Sequence, residues 1–340
     1  MTFRHLAAPR PADEAARRAA LAIGRMGGAL APVLLLHAGI PGTLPALWAY
    51  CRATLHGSLL PRTSKEIAAA AIASANRCPW SFDAHLVALV AGGARRSAEA
   101  LVRGDYEALG DSGHRACAEW GALTLEAGNP ALLAAPCPGA ARAELLGTAV
   151  LAHHLDRLAT VFLAGSPVPG PEALRPLALG LAGLRHAGAW RRAARATAEP
   201  AAIAGTADGA PAWSTAAPAI GAAFVALSNA LEHAGGRVLA EPVVSRVHDY
   251  VSSWDGEAPS INRHWADRPF QPLGASELAA GRFALLTALA PQQVDAMVVG
   301  EFRRHHADET TLVEVAAWAA FTAAQRIGAW LGTAAQLRSA

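Results

Sequence analysis

Lysine is almost absent from this chain: 29 residues are lysine or arginine, and Lys65 is the one lysine. Arginine carries nearly all the positive charge, a compositional bias that accompanies abundant alanine and glycine. Acidic residues number 27, so the formal net charge is only +2, and no strong field favours nucleic acid as a partner. Cysteine is scarce as well. Cys51, Cys78, Cys117 and Cys137 stand far apart with no CxxC pair, which excludes a secreted disulfide framework and fits a reducing cytoplasm. Long apolar runs are missing too. The most apolar early stretch, "GALAPVLLLHAGIPG", is broken by Pro32, His37 and Pro41, and the N-terminus has no continuous h-region. No membrane partner is expected, and no cofactor or metal is called for.

What is present is helix. Hydrophobic residues make up 53% of the 340 positions, ample for a large buried core. "TSKEIAAAAIASAN" opens on hydroxyl capping candidates and continues in strong helix formers. "ARAELLGTAVLAHHLDRLATVFLAG" and "TLVEVAAWAAFTAAQRIGAWLG" repeat apolar residues every three or four positions, each ending near a glycine. Strand-like alternation between hairpin turns is scarce, so the fold is expected to be all-α. Around "AGSPVPGPEALRP" and "TAEPAAIAGTADGAPAWSTAAP" the texture loosens, placing a boundary near 200, with units 1–199 and 200–340.

The two units share an order of blocks. "CPWSFDAHLVALV" has a counterpart in "APQQVDAMVVGEF", and "AELLGTAVLAHHLDRLATVFL" in "VEVAAWAAFTAAQRIGAWL". A tandem duplication is expected. In that register Cys78, Ser81 and His85 fall opposite Ala290, Gln293 and Met297, so the second copy has lost its polar groups and reads as a structural partner.

"ANRCPWSFDAH", residues 75–85, carries the candidate chemistry. Proline favours the first helical turn, so a helix is expected to open at Cys78-Pro79, with the cysteine where unpaired amides and the helix dipole favour a thiolate. Positions 78, 81 and 85 then line one face. Glu66, one helix earlier, reaches that face if the two helices form an antiparallel hairpin across "NRCP". Carboxylate, imidazole and thiol in one cluster offer a proton relay to and from sulfur.

In spacing and flanks this region resembles the AhpD-like alkylhydroperoxidase and carboxymuconolactone decarboxylase family: Glu66, Cys78, Ser81 and His85 follow its pattern, and "LLPRTSKEIAAAAIASANRCPWSFDAH" is close to its usual wording. The resemblance covers roughly residues 55–165, with 218–332 as a weak second copy. It implies a helical bundle in two tandem copies, the second degenerate, and a homo-oligomer, a dimer or trimer of these double units. It implies that Glu66 and His85 relay protons, that Cys78 is the first cysteine of the redox pair, and that the attacking cysteine is replaced by Ser81. Serine is neither oxidised to a sulfenic acid nor able to close a disulfide. Reduction of an organic hydroperoxide would then fall to Cys78, with a thiol reductant protein to resolve it.

Two other readings accompany this one. A degenerate member would serve as a binding or scaffold protein. The decarboxylase branch lacks the redox pair, and acid–base chemistry on a small carboxylated metabolite would need a cation, for which Arg157 is the candidate. Trp80 would wall the substrate pocket or simply pack. His153 and His154, with Asp156 and Arg157, suggest a metal group, but the two histidines are adjacent on a helix, about a hundred degrees apart, a poor arrangement for sharing one metal ion. "RRHH", residues 303–306, places cations at a helix end.

Overall fold

The computed structural model describes residues 2–168, 170–196 and 208–337. The expected boundary at 199/200 lies outside them. The chain runs through α1 (Glu14–Met26), α2 (Ala31–Leu35), α3 (Thr43–Ala53), α4 (Arg62–Ala75), α5 (Pro79–Ala91), α6 (Arg95–Val102), α7 (Ser112–Leu123) and α8 (Gly139–Phe162). It continues through α9 (Arg175–Ala196), α10 (Pro218–Val238), α11 (Glu241–Ser253), α12 (His264–Asp267), α13 (Ala275–Leu289), α14 (Ala296–Arg303) and α15 (Glu309–Leu337). The fold is all-α; the described strands are two-residue segments, Thr2–Phe3 paired antiparallel with Leu163–Ala164. No helix among the described residues is long and apolar enough to cross a membrane.

Helix α4 is the centre of the first half, packed by α7, α5 and α8. Its run of small residues explains how three helices fit around it. Ala68 to Ala71 and Ala73 are fully or almost fully buried, so the neighbouring backbones approach closely. Gly121 of α7 completes the contact, since a Cβ there would stand 2.6 Å from the Ala68 carbonyl oxygen. Helix α8 lies between α4 and α15, and α15 in turn packs on α13 and α10. Buried side chains from both sides of position 200 form one contiguous core.

Two stretches read as loose in the sequence flank a helix that the sequence pattern did not announce. Helix α9 carries several glycines and packs against α5. Gly183 meets Val90, and Trp190 lies over Gly92, where a Cβ would come within 2.5 Å of the indole. An ion pair between Arg175 and Asp83 ties the two helices further.

The lone lysine proves structural. Lys65 is completely buried, and its ammonium donates to Glu144 and to the carbonyls of Thr54 and Gly57, each at 2.8 Å. Glu144 also accepts from the amides of Leu59 (3.0 Å) and Leu60 (2.9 Å). The connection from α3 to α4 is therefore pinned to α8 by one charge pair with nearly all its hydrogen-bonding capacity used. Removing one partner leaves a buried, uncompensated charge. Glu144→Ala should destabilise the fold by about 3–5 kcal/mol, measured by urea denaturation, whereas an exposed pair such as Arg95–Glu99 should contribute under about 1 kcal/mol.

Candidate functional site

The α4–α5 turn positions the site. Asn76 caps α4, and Arg77 follows in the left-handed region with φ +53°, an uncommon conformation for a residue with a side chain. The Cys78 amide then donates back to the Ala73 carbonyl at 2.9 Å, closing the helix end. Pro79 opens α5 in its first turn, and Cys78 is its N-cap residue. The antiparallel hairpin expected across this turn is what forms, and it brings Glu66 to His85.

Glu66 is fully buried and accepts from His85 Nδ1 at 2.7 Å and from Arg62 Nε at 2.9 Å. Burial would raise its pKa, but the Arg62 guanidinium and His85 outweigh that and hold it below the ordinary carboxylate value. With an ionised acceptor on Nδ1, the ring keeps Nε2 as its exchangeable nitrogen. Arg62 is itself braced by Trp190 of α9, whose ring centroid lies 4.0 Å away.

Further toward the start of α5, the Cys78 thiol donates to Ser81 Oγ at 3.3 Å. Here the structure corrects an expectation. Cys78 does sit at the helix start, yet it is 1% exposed, and burial, reinforced by the Asp156 charge, pushes its thiol up to about 12. The Ser81 and Thr160 hydroxyls oppose that rise without cancelling it. The resting side chain is a thiol, not the depressed-pKa thiolate that the helix dipole alone would favour.

Asp156 of α8, which the sequence offered only as a neighbour of His153 and His154 in a candidate metal group, belongs instead to this site. Asn76 Nδ2 donates to its Oδ2 at 2.7 Å and contacts His153 Nδ1 at 3.1 Å. His153 Nε2 lies 2.9 Å from Thr124 Oγ1, whose hydroxyl donates to the Gly121 carbonyl. The chain of donors fixes a neutral His153, consistent with burial holding it far below the usual imidazole range. Asp156 Oδ1, by contrast, is buried with no hydrogen-bond partner. Burial raises the carboxyl pKa to about 6 against the pull of Asn76, Ser81, His85 and Arg157. The signal for this residue was faint: an aspartate beside two histidines on an apolar helix, with its partners on another helix.

The remaining candidates separate. Arg157 is buried, and donates to the Ala288 carbonyl at 2.6 Å and the His153 carbonyl at 2.8 Å. Burial lowers it to about 10. Trp80 belongs to the hydrophobic core. His154 turns away from His153 toward His37, with the Nε2 atoms 2.9 Å apart. Of the "RRHH" segment, Arg303 closes α14 and bonds the His5 carbonyl.

A cleft of about 160 Å³ opens at Asp156, lined by Asn76, Asp156, Arg157 and Thr160 on one side and by Trp254 and Pro291 on the other; Cys78, Ser81 and His85 lie behind this lining. The far wall comes from the second half of the chain. Gly256, with φ +102°, lets that loop press onto Leu125, whose carbonyl oxygen would be 1.7 Å from any Cβ at 256. Larger cavities, of about 370 and 510 Å³, lie elsewhere, and neither is lined by any residue of the Glu66, Cys78, Ser81, His85 and Asp156 cluster. The second half offers no matching cluster at the aligned positions: after Ala290 a short 3₁₀ turn, Pro291–Gln293, interrupts the helix, which restarts behind the Asp295 cap.

Over 334 residues the chain is 38% identical to the alkyl hydroperoxide reductase Rv2159c of Mycobacterium tuberculosis, a match spanning 97% of this chain and 94% of that protein. The chain belongs to the AhpD-like alkylhydroperoxidase family, in its actinobacterial type. No family model matches it, and no solved structure does. Within an AhpD-like bundle, then, this chain brings together a glutamate, a histidine, one thiol and a serine on the α4–α5 hairpin, with a buried aspartate on α8.

That aspartate should be visible in stability. Its folded pKa lies above the unfolded value, so the native state holds more protons between about pH 4 and 6, and stability falls as pH rises through that window. The buried His37, His153 and His154 have lowered values and act oppositely, losing stability as pH falls. Comparing wild type with Asp156→Asn isolates the carboxyl. The variant should be more stable by roughly 1–3 kcal/mol at pH 7, with the gain vanishing below about pH 4, in urea titrations across that range.

Proposed function

We propose that this protein reduces organic hydroperoxides through Cys78, with Glu66 and His85 as the proton relay and a thiol reductant completing the cycle. The observation that carries this reading is the single helix face on which the Cys78–Ser81 contact (3.3 Å) is followed by the His85–Glu66 hydrogen bond (2.7 Å), in a chain of this family. The sulfur attacks the distal peroxide oxygen; the S–O bond forms as the O–O bond breaks. The thiol proton leaves sulfur and the alkoxide product takes a proton, so an alcohol and a Cys78 sulfenic acid result. Two reductant thiols then restore the thiol, releasing water and a disulfide of the reductant.

Ser81 makes the protein a one-cysteine variant of the family's dithiol arrangement, and the resolving thiol must come from outside this turn. The second half serves as scaffold in this reading: a degenerate copy, it supplies Trp254, Gly256 and Pro291 to the cleft wall. The burial of Cys78 favours a second reading, acid–base chemistry on a small carboxylated metabolite by Glu66 and His85 with Arg157 as the anion holder.

Turnover of cumene hydroperoxide with a dithiol reductant distinguishes the two. Cys78→Ala should abolish consumption, His85→Ala should lower it about 10²-fold or more, and Ser81→Cys should raise it. Equal turnover by wild type and Cys78→Ala would exclude the peroxidase reading.

A further inference from the structure

Ser81 replaces a sulfur, yet it is not idle in the structure. Its oxygen is the acceptor for the Cys78 thiol, and its hydroxyl lies within electrostatic reach of the Asp156 carboxyl, without closing a hydrogen bond of regular geometry on Oδ1. Asp156 is 1% exposed and held by one oxygen only; Asn76 takes Oδ2. The free oxygen is therefore a buried acceptor without a donor, beside a hydroxyl that already receives the thiol proton. A hydroxyl both accepts and donates, so Ser81 is able to pass a proton along without keeping it.

We infer that Cys78, Ser81 and Asp156 form a proton wire, in which Ser81 accepts the thiol proton while handing its own to Asp156 Oδ1. The step leaves a thiolate and a neutral carboxylic acid in place of a thiol and a carboxylate, so the buried charge moves without increasing. After sulfur has attacked the peroxide, the Glu66–His85 relay protonates the leaving alkoxide, and the Asp156 acid releases its proton through the cleft and becomes a carboxylate again. The inference rests on the peroxidase reading for its substrate, though not for the proton transfer itself.

Three features support the direction of transfer. Of the wire's three members Asp156 is the one that lines the cleft, so the transferred proton ends on the side from which it can be released. The Thr160 hydroxyl, which donates to the Asp156 carbonyl at 2.8 Å, holds the Asp156 turn of α8 beside the sulfur. The charges around Asp156 are otherwise fixed: His85 and Cys78 face it from α5, Arg157 and neutral His153 from its own helix, and Arg77 and Glu257 line the cleft. With the carboxyl near 6, Asp156 is an available acceptor at neutral pH and a filled one in acid.

The test is the pH profile of single-turnover reaction at Cys78, read by mass spectrometry of its peptide in the folded full-length protein. Cumene hydroperoxide and, separately, iodoacetamide are the probes. Wild type should rise to a break near pH 6 and stay level above it, because the thiolate forms only against the Asp156 proton. In Asp156→Asn the break should vanish, with the rate rising about tenfold per pH unit. His85 is intact in that variant, so loss of the break belongs to Asp156. Ser81→Ala should react at least about tenfold more slowly at pH 7, and Ser81→Thr, which restores the hydroxyl, should recover most of the rate. A break retained in Asp156→Asn, or a Ser81→Ala rate equal to wild type, would overturn the wire. If wild type shows the break with iodoacetamide but does not react with the hydroperoxide, the peroxidase reading fails and the wire stands. If Cys78 reacts with neither probe, both fail.

Discussion

The hydrogen bond from Asn76 to Asp156, 2.7 Å long and buried, is the contact on which the site depends. It ties the α4–α5 turn to α8 and thereby decides where Cys78 lies. Because Asn76 also meets His153, and His153 meets Thr124 at the end of α7, the turn is fixed to α8 and through it to α7. The thin, alanine-built α4 makes this possible by letting α7 and α8 close around it. A polar network inside a dry core is costly unless its members are satisfied. Here nearly all are, and the atom left over, Asp156 Oδ1, is the one beside the chemistry.

Thiol acidity does not single out Cys78. Burial pushes Cys51 and Cys117 up to about 12 as well, and Cys137 to about 11. What distinguishes Cys78 is its company: a hydroxyl that accepts its proton, a buried carboxylate behind that hydroxyl, and a cleft lined by that carboxylate. In this account a high thiol pKa is compatible with reactivity, because the proton has a destination inside the protein. The Glu66–His85 pair lies further along the same face, where Arg62 and Trp190 hold it rigid.

Much of this was legible in the residues. The 3.6-residue periodicity and alanine runs implied an all-α fold, and Pro79 marked the start of α5. The spacing of Glu66, Cys78, Ser81 and His85 carried the hairpin that brings carboxylate to imidazole. Helix α9 was not legible, since glycines at 180, 183 and 188 weaken its pattern, and it is held by packing against Val90 and Gly92. The place of Asp156 beside Ser81 and Cys78 was hidden because its partners come from distant sequence, and the thiol's high pKa was hidden because burial, absent from a linear reading, overrode a local helix-start effect. Arg157 was found, but its guanidinium is spent largely on the Ala288 and His153 carbonyls.

The central claim is that the buried sulfur of Cys78 is the atom oxidised. Exposing the folded protein to one equivalent of cumene hydroperoxide in the presence of dimedone, then mapping the adducts by mass spectrometry, tests it directly. The account predicts a sulfenic-acid adduct at Cys78, with Cys51, Cys117 and Cys137 unlabelled. Absence of an adduct at Cys78, or equal labelling of all four cysteines, would contradict it.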